Sequence, residues 1–164
     1  MDFKLEELVN MYGEKLLRYA ASILYNYQDA EDIVQEVFIA VYQKPGAFKG
    51  GNLNAWLYKI TYNKCVNKLR RRKFLFFEDT EKQDEIPTPP QQTGLSEPTL
   101  QALGKLKPQD RALLYARIIE GYSYEELAIQ MNATPQALRK RYERAKTKVA
   151  GYLTAKGENC EQYL

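Results

Sequence analysis

The stretch SYEELAIQMNATPQALRKRYERAKTKV, Ser123 to Val149, decides how the rest of the chain is read. Ser123 followed three residues later by Glu126 is a capping box, in which hydroxyl and carboxylate satisfy free amides at a helix start. Leu127, Ala128 and Met131 supply the buried stripe of that short helix. Asn132 stands where the turn needs a left-handed backbone, which asparagine tolerates better than most residues. Thr134 and Pro135 read as N-cap and first helical position, because proline has no amide hydrogen to lose there. Helix, tight turn and helix in this order predict a helix-turn-helix, the form whose second helix enters a DNA major groove.

In that second helix Leu138, Tyr142, Ala145, Val149 and Tyr152 recur at steps of four and three, one helical face. Lys140, Arg144 and Thr147 point away from it, and Arg139, Arg141, Lys146 and Lys148 flank it. A cationic helix in isolation is an ordinary solvated face. Following a capped helix and a turn, the same cations predict DNA binding.

The 164 residues carry a net charge of only +3, but the charge is unevenly placed. Residues 59–73 hold seven Lys or Arg and no acid, while residues 78–98 hold six acids against one lysine. The absence of histidine removes the commonest general base and metal ligand. Cys65 and Cys160 have no metal-ligand spacing and suggest no disulfide framework. No signal peptide opens the sequence and no apolar run reaches the length of a membrane span, so a cytosolic helical protein without metal or cofactor is expected.

The remaining pattern predicts an all-α fold of two small helical bundles joined by a flexible acidic linker, the second holding the helix-turn-helix. A front domain over 1–77 contains three helices. The first, over 3–25, carries Leu5, Leu8, Val9, Tyr12, Leu16, Tyr19, Ala20 and Ile23. The second runs from Asp29, read as its cap, to Gln43 through Ile33, Val34, Val37, Phe38 and Val41. The third spans Leu53 to Lys73, after the proline- and glycine-rich loop KPGAFKGGN. Residues 78–98, with four prolines and no periodicity, read as linker. The second domain occupies 99–154 and a polar tail 155–164.

The front domain carries its own chemistry. Lys59, Asn63, Asn67 and Arg70 share one face of the third helix, beside Lys64, Lys68, Arg71 and Arg72, with Tyr58 and Tyr62 among them. Cations, amides and aromatic rings together suit single-stranded nucleic acid. Tyrosines at helical spacing are also ordinary core residues. Phe48, Lys49 and Asn52 on the preceding loop have the chemistry to hold a base displaced from the stack. Asp29, Glu31, Asp32, Gln35 and Glu36 give the second helix an acidic surface, which repels DNA and suggests a protein partner with a basic face. The same acids also stabilise a helix N-terminus by themselves.

Three segments in order, DAEDIVQEVFIAVYQ, FKGGNLNAWLYKITYNKCVNKLRRRK and LKPQDRALLYARIIEGYSYEELAIQMNATPQALRKRYERAKTKV, resemble bacterial RNA polymerase sigma factors, most of all the small two-domain extracytoplasmic-function group. The resemblance implies that Asp29, Glu31, Asp32, Gln35 and Glu36 dock on the clamp helices of the polymerase β′ subunit. It implies recognition and melting of the minus-ten element by Phe48, Lys49, Gly50, Gly51, Asn52, Asn54, Lys59, Asn63, Lys64, Asn67, Arg70 and Arg71. Thr134, Gln136, Arg139, Lys140, Arg141, Arg144 and Lys148 match positions that read the minus-thirty-five element, in a domain that also touches the β flap. An anti-sigma partner is a further expectation from the resemblance, as is a non-catalytic role. Asn132 replaces a common turn glycine, and QALRKRYER departs from the usual recognition helix, so base preference does not carry over.

Two other readings separate from this one. A stand-alone helix-turn-helix transcriptional regulator would bind a specific duplex tightly without polymerase. A nuclease or recombinase would need a carboxylate pocket, which Asp29, Asp32 and Glu36 mimic but which fits a solvated helix start better.

Overall fold

The computed structural model describes residues 4–76 and 96–155. Most of the expected linker, and the expected tail beyond Ala155, lie outside the described residues. Helix α1 (Leu5–Leu24) buries Leu8, Leu16, Tyr19, Ala20 and Ile23 of the stripe its periodicity predicts, while Leu5 and Tyr12 are half-buried and Val9, at the edge of the stripe, is exposed. Tyr25 ends it in a left-handed conformation (φ 54°), its N–H bonded to the Ala21 carbonyl. That conformation costs a residue with a Cβ about 1 kcal/mol, so the reason for a tyrosine there lies in its side chain, which is buried.

Helix α2 (Tyr27–Gln43) begins two residues earlier than expected. Asn26, not Asp29, is the cap: its side-chain oxygen accepts the Asp29 N–H at 3.1 Å. Asp29 is thereby left to reach sideways to α3 (Leu53–Phe76), where its carboxylate meets Lys68 at 3.5 Å and pairs with Arg72. A single 3-10 turn, Pro45–Ala47, leads into the loop before α3.

The second domain starts at Ser96, whose hydroxyl caps α4 (Glu97–Gly104). The helix therefore enters the expected linker by two residues, and Pro98 sits within its first turn, where proline is tolerated. Helices α5 (Pro108–Ile118), α6 (Tyr124–Met131) and α7 (Pro135–Ala155) follow. Both arms of the Ser123–Glu126 capping box are present. Asn132 is left-handed (φ 50°), and Thr134 caps α7 by accepting the Ala137 N–H at 3.2 Å. Ala102, Leu106, Leu114, Ala145, Val149 and Leu153 form a small core of this domain.

The two domains do not stand apart. Helix α5 packs on α1 and α6 packs on α3, so one apolar core runs from Leu8 and Leu16 through Leu57 and Tyr58 to Leu113, Leu127 and Leu138. Tyr19 stacks on Tyr58 in its own domain and on Tyr115 of the other, with ring centroids 4.7 and 5.8 Å apart. Arg111 donates to the carbonyls of Ser22 (2.8 Å) and Ile23 (2.6 Å) at the end of α1, and to that of Leu106 (2.7 Å). The Tyr25 hydroxyl donates to the Leu100 carbonyl, and its ring lies against Gly104 so closely that a Cβ there would stand 3.0 Å away. Tertiary contact between domains thus accounts for the strained tyrosine.

Candidate nucleic-acid interface

On the loop, Phe48 packs against Trp56 with ring centroids 5.2 Å apart. Gly50 and Gly51 both have positive φ (97° and 95°), a path that side chains with a Cβ rarely follow. Asn52 ends the loop by accepting the Ala55 N–H at 3.1 Å, which starts α3. Lys49 is exposed beside these residues.

Along α3, Asn63, Asn67, Arg70 and Arg71 are exposed and Lys59 is half-buried, so the predicted polar face is a continuous surface. Lys64 is ion-paired to Glu36 at 3.7 Å. Tyr58 and Tyr62 do not join that face: they are 0% and 7% exposed and lie under the second domain. Asn54 is likewise turned to the second domain, donating to the Tyr122 hydroxyl at 2.6 Å. Burial pushes the Cys65 thiol well up, against the opposing influence of Lys68, as fits a buried packing residue.

On α2, Glu31, Asp32, Gln35 and Glu36 face solvent. Asp29 does not: its side chain is 14% exposed and held by Lys68 and Arg72. The outward stripe instead continues through Ile39 and Tyr42, which are 54% and 69% exposed. Sequence reasoning passed over both because they are apolar. The signal was their spacing, Ile39 three residues on from Glu36 and Tyr42 three on from Ile39, along one face.

On α7, Gln136, Arg139, Lys140, Arg144 and Lys148 are exposed. Tyr124 is flanked by two guanidiniums, with Arg117 4.4 Å and Arg139 5.1 Å from its ring centre. Such contacts attract a guanidinium to the ring face, by about 0.5–1 kcal/mol at exposed sites. Arg141 turns inward, to Asp110 of α5 at 3.2 Å, and braces α7 against α5. The hydroxyl of Thr134 is spent on the helix cap.

Three surfaces are therefore segregated by charge: cations and amides on α3, cations on α7, acids followed by apolar groups on α2. Among the described residues, no group of three or more His, Cys, Asp or Glu side chains is placed to hold a metal ion. No described helix is long and apolar enough to cross a membrane.

Comparison with known proteins agrees with this layout. Residues 8–74 match the model of Sigma-70 region 2, and residues 96–149 that of Sigma-70, region 4. The chain is 30% identical over 165 residues to the ECF RNA polymerase sigma factor SigE of Mycolicibacterium smegmatis, spanning 96% of this chain and 64% of SigE. It is 30% identical over 159 residues to the RNA polymerase sigma factor NccH of Alcaligenes xylosoxydans xylosoxydans, spanning 90% of this chain and 85% of NccH. The fold is that of the sigma factor RpoE, solved with the anti-sigma factor NepR from Bartonella quintana: TM-score 0.78 at 24% identity, over 91% of this chain and 96% of that one. CnrH, solved with the cytosolic domain of CnrY, gives 0.65 at 25% identity over 92% and 88%. Two region matches in order, on the two helical bundles, and a relative matched over most of its length lead to one conclusion: the chain belongs to the RNA polymerase sigma factors, in their extracytoplasmic-function group.

Proposed function

We propose that the protein binds core RNA polymerase in the bacterial cytoplasm and directs promoter recognition, strand opening and transcription initiation as a non-catalytic specificity subunit. The observation that carries this reading is the separation of two cationic surfaces, on α3 and α7, from an acidic one on α2. A stand-alone regulator has no use for the third surface; a subunit that must hold both DNA and enzyme does.

In this reading Glu31, Asp32, Gln35 and Glu36 dock on the β′ clamp helices, and Ile39 and Tyr42 extend that contact with apolar area. Asp29 acts one step behind them. By tying Lys68 and Arg72 it fixes the angle between the docking helix and the DNA helix. The Gly50–Gly51 path brings the backbone close to the minus-ten strand, beside the Phe48–Trp56 pair. Unstacking a base costs about a few kcal/mol, and capture by a preformed pocket offsets that. Lys59, Asn63, Asn67, Arg70 and Arg71 follow the strand's phosphates and base edges. Gln136, Arg139, Lys140, Arg144 and Lys148 contact the minus-thirty-five duplex, where each good base contact is worth about 1–3 kcal/mol and phosphate contacts add salt-sensitive affinity. The second domain also meets the β flap, and an anti-sigma factor holds the protein inactive until released.

Run-off transcription from a promoter library, with and without added core polymerase, tests the assignment. Initiation only with core, lost on combining Asp32→Lys with Glu36→Lys while the thermal midpoint is kept, is the expected result. Tight binding of one duplex by the chain alone, with no initiation when core is added, establishes the stand-alone regulator instead.

A further inference from the structure

We propose that Tyr124 is a positioning residue for promoter recognition: with Arg117 behind it, its ring fixes the Arg139 guanidinium near the start of α7 for contact with the minus-thirty-five duplex. This role rests on the promoter-specificity reading above.

Tyr124 is the first residue of α6, where the Ser123–Glu126 capping box fixes the backbone. Its ring is half-buried, with the Arg117 guanidinium of α5 4.4 Å from its centre and the Arg139 guanidinium of α7 at 5.1 Å. Tyr142 of α7 stands edge-on to it, ring centroids 6.1 Å apart, and takes Arg117 at 5.7 Å and Lys146 at 5.4 Å. These cation–ring separations lie within the roughly 6 Å over which a ring quadrupole attracts a cation. Helices α5, α6 and α7 thus meet in one cluster of rings and cations. Arg117 is anchored behind the cluster, since its Nη1 donates to the Tyr122 carbonyl at 2.8 Å.

Arg139 differs from the other exposed cations of α7. Among the described residues it has no hydrogen bond or ion pair, and the Tyr124 ring is what holds it. Arg144 instead donates from Nε to the Lys140 carbonyl of its own helix at 3.4 Å, and Lys146 pairs with Glu143 at 3.5 Å. Arg139 follows by four residues the proline that opens α7, and the N-terminal residues of a recognition helix are the ones that reach base edges. An arginine fork reads guanine through two parallel hydrogen bonds, so its contribution depends on its angle of approach. Fixing a rotamer-rich side chain beforehand removes an ordering cost that is otherwise met on binding.

The charge of the cluster favours the same role. Arg117 and Arg139 share one ring, and neither has an ion pair among the described residues. Packing for stability alone gains from an acid beside such cations, as Asp110 stands beside Arg141. Like charges gathered without a counter-charge raise the local positive potential, and an external polyanion such as a phosphate backbone lowers that cost. Tyr124 therefore holds Arg139 in a place where stability by itself does not call for it.

Transcription of a randomised promoter library by the full chain with bacterial core polymerase, followed by sequencing of the transcribed templates, gives the base preference at each upstream position. Arg139→Ala abolishes the preference at one of them. Tyr124→Leu, which keeps an apolar group against the core, weakens the preference at that same position by about fivefold and leaves the others unchanged. Tyr124→Phe keeps the ring face and restores it, and in the Arg139→Ala background Tyr124→Leu adds nothing further. In the free protein the Arg139 Nε–H magnetic resonance signal is displaced by the ring current in wild type and Tyr124→Phe, and Tyr124→Leu returns it to its ordinary position. Preference lost evenly at all upstream positions in a folded Tyr124→Leu chain overturns the inference. So does an equal loss in Tyr124→Phe, which makes the hydroxyl itself the DNA contact, and so does an undisplaced Arg139 signal in wild type. A displaced signal that Tyr124→Leu abolishes, in a chain that initiates nothing with core, keeps the ring contact and overturns the promoter reading together with the role in recognition.

Discussion

Replacing Asp29 by asparagine separates a positioning role from a docking role, because the two predict opposite pairs of results. Asp29 is 14% exposed and meets Lys68, at 3.5 Å, and Arg72, whose side chains are 23% and 38% exposed. Asparagine preserves size and removes charge. Each pair is partly solvated and is worth about 0.5–1 kcal/mol, and the first-turn carboxylate adds about 0.3–1 kcal/mol against the helix dipole. The freed cations can turn to water, so the larger penalty of a stranded buried charge does not apply. The total is about 2 kcal/mol, and for a chain of this length that is a fall in thermal midpoint of about 4–8 °C. Thermal unfolding followed by helical circular dichroism reads it, and a double-mutant cycle with Arg72→Met isolates a coupling of about 0.5–1 kcal/mol. Core affinity changes little. An unchanged midpoint with core affinity lost tenfold or more refutes this reasoning and makes Asp29 a contact residue.

The other predictions concern pH and capping. Burial raises the phenol pKa of Tyr19, Tyr58, Tyr62 and Tyr122, and pushes Tyr115 up to about 12. Above pH about 10 the unfolded chain releases protons that the folded one keeps, so stability is intact below that pH and falls above it, by up to about 1.4 kcal/mol per pH unit per tyrosine. Arg111, pulled down to about 10 by burial against the opposing influence of Tyr25 and Asp110, has the reverse sign, but it is one group against several. Tyrosinate absorbance and helix loss are expected at a single alkaline midpoint; independent ionisation near pH 10 with helices intact contradicts the burial argument. Ser123→Ala removes one arm of the capping box and is expected to cost about 1 kcal/mol in urea unfolding. Full stability retained by that variant places the start of α6 under tertiary control instead.

The features that could be read ahead of the structure are those made within a few residues of chain. The Ser123–Glu126 box, left-handed Asn132, and Thr134 with Pro135 are local hydrogen-bond and dihedral arrangements, and each is where the pattern places it. The buried stripes of α1 and α2 follow from one-sided burial of a helix. Helix α3 shows where that logic stops. It is covered on more than one side, by its own domain and by α6, so Thr61 and Cys65 are buried while Trp56 and Ile60 are only half-buried. Its tyrosines consequently belong to the packing between domains and not to its cation face.

The amino-acid sequence alone determined two helical bundles, their order, the helix-turn-helix and the segregation of acids from cations, because periodicity, capping and charge are written in neighbouring residues. Tertiary structure alone decided which of those charges are free. Asp29 is taken by cations 39 and 43 positions away, Arg141 by an acid 31 positions away, and Tyr25 and Arg111 by carbonyls 75 to 89 positions away. No local rule selects such partners. They are set by how α5 and α6 lie on α1 and α3, which depends on the shared core as a whole.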